Sequence, residues 1–210
     1  GDWNVSSVTS MGNMFRESPF NQPIGDWNVS SVANMNNMFR GTPFNQPIGD
    51  WDVSSVASMS SMFREASAFN QPIGDWNVSS VTNMSHMFYD ARSFNQPIGN
   101  WNVSSVTDMS NMFNKSSFNQ TLGDWNVSSV TTMGSIFSNS CFNQPIGAWN
   151  TSKVTRMYGM FSGTPFNQPI SGWNVASVTD MRFMFYKAKA FNQPIDDWNV
   201  SSVTKMENMF

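Results

Sequence analysis

The sequence predicts an α/β solenoid in which a short parallel strand and a short helix make one coil of 24–25 residues, repeated about nine times. Three observations carry this expectation. Tryptophan recurs at Trp3, Trp27, Trp51, Trp76, Trp101, Trp125, Trp149, Trp173 and Trp198, always 24 or 25 residues after the last. The unit around it reads close to FNQPIGDWNVSSVTNMSNMF, followed by four or five variable residues. Within each unit the apolar period changes from two before the tryptophan to three or four after it. A repeat this short touches only its neighbours, so residues 1–210 form a single array that grows lengthwise, read as a segment of a longer one.

In the coil that opens at Phe69, alternate residues Phe69, Gln71 and Ile73 share one face, which predicts a short strand. Proline follows at the fourth position, as in Pro23, Pro47 and Pro72, so the pairing must leave that backbone position without a donor. Gly74-Asp75 reads as a turn, with glycine expected to supply a φ that other residues resist. Beyond Trp76, the residues Val78, Val81, Met84, Met87 and Phe88 step by three or four, the spacing of one helical face. A short α or 3₁₀ helix is therefore expected in every coil. The segments after it differ between coils and are expected to be loops on the outer edge.

Stacked coils place equivalent side chains in columns about 4.8 Å apart. The nine tryptophans are assigned to one such core column, beside columns of Phe, Ile and Met. The seventeen methionines read as flexible core filler, with Ile136 taking the place of Met in one coil. Cys141 occupies a slot that is Ala, Ser or Pro elsewhere and reads as a buried small residue; with one cysteine, no disulfide framework forms within the chain.

Charge and composition narrow the functional classes. Only 12% of residues are charged and the formal net charge is -3, which offers no footprint for nucleic acid. No apolar run reaches the ~20 residues of a membrane span. His86 is the single histidine, so no repeated catalytic triad can be assembled, and no nucleophile-base pair, Cys/His cluster or phosphate loop is visible. The expectation is a protein without catalytic, cofactor-binding or metal-binding residues. The column Asp2, Asp26, Asp50, Asp75, Asp124 and Asp197 admits a weak alternative of bridging Ca²⁺, but Asn100, Ala148 and Gly172 interrupt it.

Two asparagine columns stand out. The residue after the tryptophan heads an N-glycosylation sequon at Asn4, Asn28, Asn77, Asn102, Asn126, Asn150 and Asn199, with further sequons out of register at Asn83, Asn114 and Asn119. One reading is a row of glycans on an extracellular rod. The other is that this side chain caps the following helix, which Asp52 in the third coil also satisfies. The second column, Asn21, Asn45, Asn70, Asn95, Asn119, Asn143, Asn167 and Asn192, is assigned to a hydrogen-bonded structural ladder between coils, with the adjacent glutamines as a second one.

The string DWNVSSVTNMSHMF, from Asp75 to Phe88, and its copies resemble the BspA-like leucine-rich-repeat surface proteins, whose repeat follows W/F-D-x-S-x-V-x-x-M-x-x-M-F. The resemblance spans the chain. It implies a leucine-rich-repeat-like, right-handed stack, an extracellular or cell-surface location, and adhesion as the role. Leu122 is the only leucine, with Phe and Ile standing where the leucine version has Leu. The functional expectation is thus a non-enzymatic repeat protein acting in adhesion or as a structural rod. Its partners are other copies of itself or a surface protein or polysaccharide. The alternatives are a subunit of an end-to-end, N-glycosylated fibril and, less favoured, a carbohydrate- or ice-binding periodic surface.

Overall fold

Four-residue turns, each with buried apolar ends and a polar middle, build the coil. In the computed structural model, which describes residues 3–210, Ile73–Trp76, Val78–Val81, Met84–Met87, Phe88–Ala91 and Ala91–Phe94 each close such a turn. The last residue donates its amide to the first carbonyl, at 3.2, 2.9, 3.2, 3.2 and 3.3 Å respectively. The pattern recurs along the array, which is the physical reason for the three-residue apolar spacing.

The strand–helix coil is therefore corrected. Among the described residues there is no helix, and regular sheet is reduced to single parallel bridges, Ser10 to Asn34 to Ser58 and onward to Lys205. These bridges run through the segment expected to be helical, while the expected strand at 69–73 is extended chain without a backbone ladder. A leucine-rich-repeat-like, right-handed strand–helix stack does not describe this chain. The backbone donors show why. Met84, His86, Phe88 and Asp90 donate to the carbonyls of Asp108, Ser110, Met112 and Asn114 in the next coil at 3.0, 2.8, 2.9 and 2.8 Å. Met87, Tyr89 and Ala91 donate within the coil instead, to Met84, His86 and Phe88. A helix needs every donor on its own axis, and here alternate donors serve the neighbouring coil. The alternation reverses the chain at two left-handed positions per coil, His86 (φ 58°) and Asp90 (φ 53°) in this one.

Glycine before the Asp-Trp pair also has a different cause from the one expected. Its φ is not left-handed; a Cβ on Gly74 would lie 2.7 Å from the Pro97 carbonyl oxygen of the next coil. Coil-to-coil contact excludes the side chain.

The interior is a set of aromatic columns. Phe63, Phe88 and Phe113 stack at 5.7 Å per step, and Trp76 and Trp101 at 6.5 Å with rings 4° from parallel. Trp101 in turn meets Phe88 of the preceding coil at 6.5 Å, so the Gly-Asp-Trp corner and the Met-Phe segment form opposite walls of one core. Trp27 through Trp198 are buried, whereas Trp3 is 66% exposed and does not join the core column. The Met residues from Met35 to Met184 pack inside, and Cys141, expected to be buried, is exposed.

Candidate interaction surface

Three outward columns carry the polar chemistry of the array. On the Phe-Asn-Gln-Pro wall, each asparagine side-chain oxygen accepts from the backbone N–H of the next asparagine. The chain of bonds runs from Asn21 through Asn45, Asn70, Asn95, Asn119, Asn143 and Asn167 to Asn192, at 2.9–3.0 Å. The ladder is amide oxygen to backbone, not amide to amide. Glutamines brace it: the Gln71 Nε2 donates to the Asn45 carbonyl and side-chain oxygens, both at 3.0 Å. Because this link uses the backbone N–H of asparagine alone, the proline two residues later costs no bond.

The asparagine after each tryptophan holds a turn rather than a helix. Asn77 Oδ1 accepts from the Ser79 amide at 3.2 Å and from its hydroxyl at 2.7 Å, and Asn4, Asn28 and Asn102 repeat both bonds. Asn126, Asn150 and Asn199 keep the amide bond. All seven are exposed, so the oxygen can secure the turn while the side chain faces solvent. Capping and exposure, expected to compete, coexist here. In the third coil the Ser54 hydroxyl and amide hold the Asp52 carboxyl below its usual range. Of the out-of-register sequons, Asn114 is buried, Asn83 engages the Ser85 amide and hydroxyl, and Asn119 belongs to the ladder.

The third column set was not singled out by sequence reasoning. Aligned on tryptophan, the coils differ mainly at the polar positions of the bridged Met-to-Phe segment and the loop behind it. His86 is replaced by Asn37, Ser61, Asn111, Ser135, Gly159 and Phe183, and Tyr89 by Arg40, Arg64, Asn114 and Tyr186. The signal was present in the repeat itself: side chains that vary between otherwise equal coils and point outward. All three tyrosines and the single histidine lie on this wall.

Charge divides between the walls. Ten of the eleven Lys and Arg residues lie in the segment that runs from the bridge residue before the first Met through Phe, and in its loop, against six acids; only Lys153 lies elsewhere. The other eight acids cluster at the Gly-Asp-Trp-Asn corner, Asp2 being outside the described residues. Among the described residues, every ion pair belongs to the variable wall: Arg16 and Arg40 with Glu17, Arg40 and Arg64 with Glu65, Arg92 with Asp90, and Arg182 with Asp180. The Arg182 guanidinium, hydrogen-bonded at 2.7 Å, holds the Asp180 carboxyl below the ordinary range. His86 is half-buried, and burial, helped by Arg64, lowers its pKa. Arg64 also lies over the Tyr89 ring, 4.7 Å from its centre.

Among the described residues no three His, Cys, Asp or Glu side chains converge as metal ligands do, and no helix is long and apolar enough to cross a membrane. No curated protein matches the chain. The family model described as "Mycoplasma protein of unknown function, DUF285" matches four times in overlapping stretches, over residues 1–80, 19–121, 43–141 and 114–210. Matches that together run from one end of the array to the other place this chain in the DUF285 repeat family.

Proposed function

We propose that the chain is a non-enzymatic, extracellular or cell-surface repeat protein whose variable wall is its contact surface, in adhesion or as a structural rod. The observation that carries this reading is the division of labour within the repeat. The Asn ladder, the Trp column and the turn asparagines are nearly invariant and hold coil to coil. The bridged segment keeps its backbone geometry while its outward side chains change. Tyr and Arg, side chains suited to macromolecular contact, collect there. An extended wall of this kind suits a macromolecular partner better than a small substrate. The exposed sequon column and the resemblance to BspA-like surface proteins support the placement outside the cell.

The test uses beads coated with the chain and exposed to cells or extracellular matrix under flow. Retention above that of beads coated with an inert protein is expected, with loss when Arg16, Arg40 and Arg64 are changed to serine. Retention no better than the inert coat overturns the reading.

A further inference from the structure

Phe183 stands against both its backbone and its surroundings. It takes a left-handed φ of 57°, where bulky side chains are outliers, and it is 41% exposed. Equivalent positions in the other coils hold Asn, Ser, His or Gly. A strained aromatic displayed to solvent points to a functional contact. Its neighbours match: Tyr186 meets it edge-on at 5.7 Å, and Lys187 lies 5.0 Å from the Tyr186 ring centre. Arg156 and Lys205 are exposed on the same wall. This end of the wall is aromatic and basic.

The opposite wall presents the complement. Shallow grooves between adjacent coils are lined by Pro47 with Asp26 and Asp50, and by Pro72 and Pro97 with Asp75. Their prolines and carboxylates are exposed, and among the described residues these aspartates form no ion pair. Proline rings offer rigid apolar faces for aromatic side chains, and the aspartates offer charge for Arg and Lys. The corner repeats at the coil spacing through Asp26, Asp50 and Asp75, so one patch has several equivalent places to dock. The bridged segment spends its backbone donors on neighbouring coils, Met181, Phe183 and Phe185 donating to Lys205, Glu207 and Met209, so strand addition is closed to it and side chains must make the contact.

Taking the variable wall as the contact surface, we infer that it docks a second copy of this chain: the aromatic-basic patch around Phe183 of one copy packs on the Pro-Asp corner of another. The contact joins two different patches, so it does not close on itself and lateral growth continues.

Sedimentation of the whole chain at rising concentration tests this. In low salt the wild type is expected to grow beyond the single-chain mass, and to revert in about 1 M salt, where charges are screened beyond about 3 Å. Phe183→Asn, which installs a residue used in sibling coils, keeps the corner and loses the patch. The triple variant Asp26→Asn, Asp50→Asn, Asp75→Asn keeps the patch and loses the corner. Each alone is expected to associate at least about tenfold more weakly, while an equal mixture restores paired complexes. Phe183→Asn is also expected to melt no lower than wild type, which separates lost contact from lost fold. A wild type that stays at single-chain mass in low salt overturns the inference, as do variants that associate like wild type. Phe183-dependent binding of polygalacturonate by a chain that does not self-associate assigns the patch to an external polyanion and also overturns it. Beads retained on cells by a non-associating chain leave the adhesive reading standing; association without retention does the reverse.

Discussion

The indole nitrogen of Trp101 donates to the carbonyl of Ile73, in the preceding coil, at 3.0 Å. The same bond joins Trp76 to Ile48 and Trp125 to Ile98. Each tryptophan thereby fills the core and satisfies a carbonyl across the coil boundary. Trp101→Ala is expected to cost on the order of 3–5 kcal/mol through the cavity it leaves. Trp101→Phe retains much of the apolar volume but strands the carbonyl, and about 1–3 kcal/mol is expected. Urea unfolding measures both, and a wild-type midpoint for the alanine variant would remove tryptophan from the core.

The Asn ladder makes a finer distinction. Asn95 Oδ1 is the acceptor for the Asn119 amide at 2.9 Å. Asn95→Ala leaves that N–H unpaired, at about 1–3 kcal/mol, whereas Asn95→Asp keeps an acceptor in place. The expected order of melting temperatures is wild type, then Asp, then Ala. Equal melting of Ala and wild type would mean that water replaces the ladder oxygen without penalty.

Gly74→Ala tests the corner. The new Cβ would sit 2.7 Å from the Pro97 carbonyl oxygen, and relieving that clash separates two coils locally. Overpacking of this kind costs about 1–3 kcal/mol. Gly41, by contrast, has a left-handed φ of 66° and its added Cβ approaches nothing nearer than 3.4 Å, so Gly41→Asn is expected to be far milder. Thermal melts of the pair distinguish close approach from backbone conformation.

His86 sets a pH dependence. Burial, with Arg64 adding to it and Asp108 opposing it, places its folded pKa below the ordinary 6.5. Folding therefore favours the neutral ring: the stabilisation is complete above the unfolded value and is lost as pH falls through the lowered one. Between about pH 8 and about pH 5, wild type should lose more stability than His86→Asn, which carries the residue of four sibling coils. Superimposable pH profiles would place the acid sensitivity elsewhere.

Secretion from a glycosylating host examines the exposed turn column. Site mapping is expected to find sugar within the set Asn4, Asn28, Asn77, Asn102, Asn126, Asn150 and Asn199, and none at buried Asn114 or ladder-bound Asn119. Occupancy at Asn114 would contradict the packing described for its coil.

The sequence by itself determined the repeat, its period, and the residues that stack, because recurrence of Trp, Phe, Ile and Met at equal spacing is visible without coordinates. It also exposed the Asn columns, since an amide kept in every coil marks a contact with its own copies. What it left open was the backbone path. Apolar residues three apart fit a helical face and a succession of four-residue turns equally well, and hydropathy does not distinguish them. Tertiary structure decided between these, because alternate amides of the Met-to-Phe segment bond to the next coil and cannot also serve a helix axis. The role of glycine at the corner was settled in the same way, by a carbonyl from another coil that no local pattern reveals. Charge segregation, too, appears only once the Trp–Phe contact sets the two segments on opposite sides of one core.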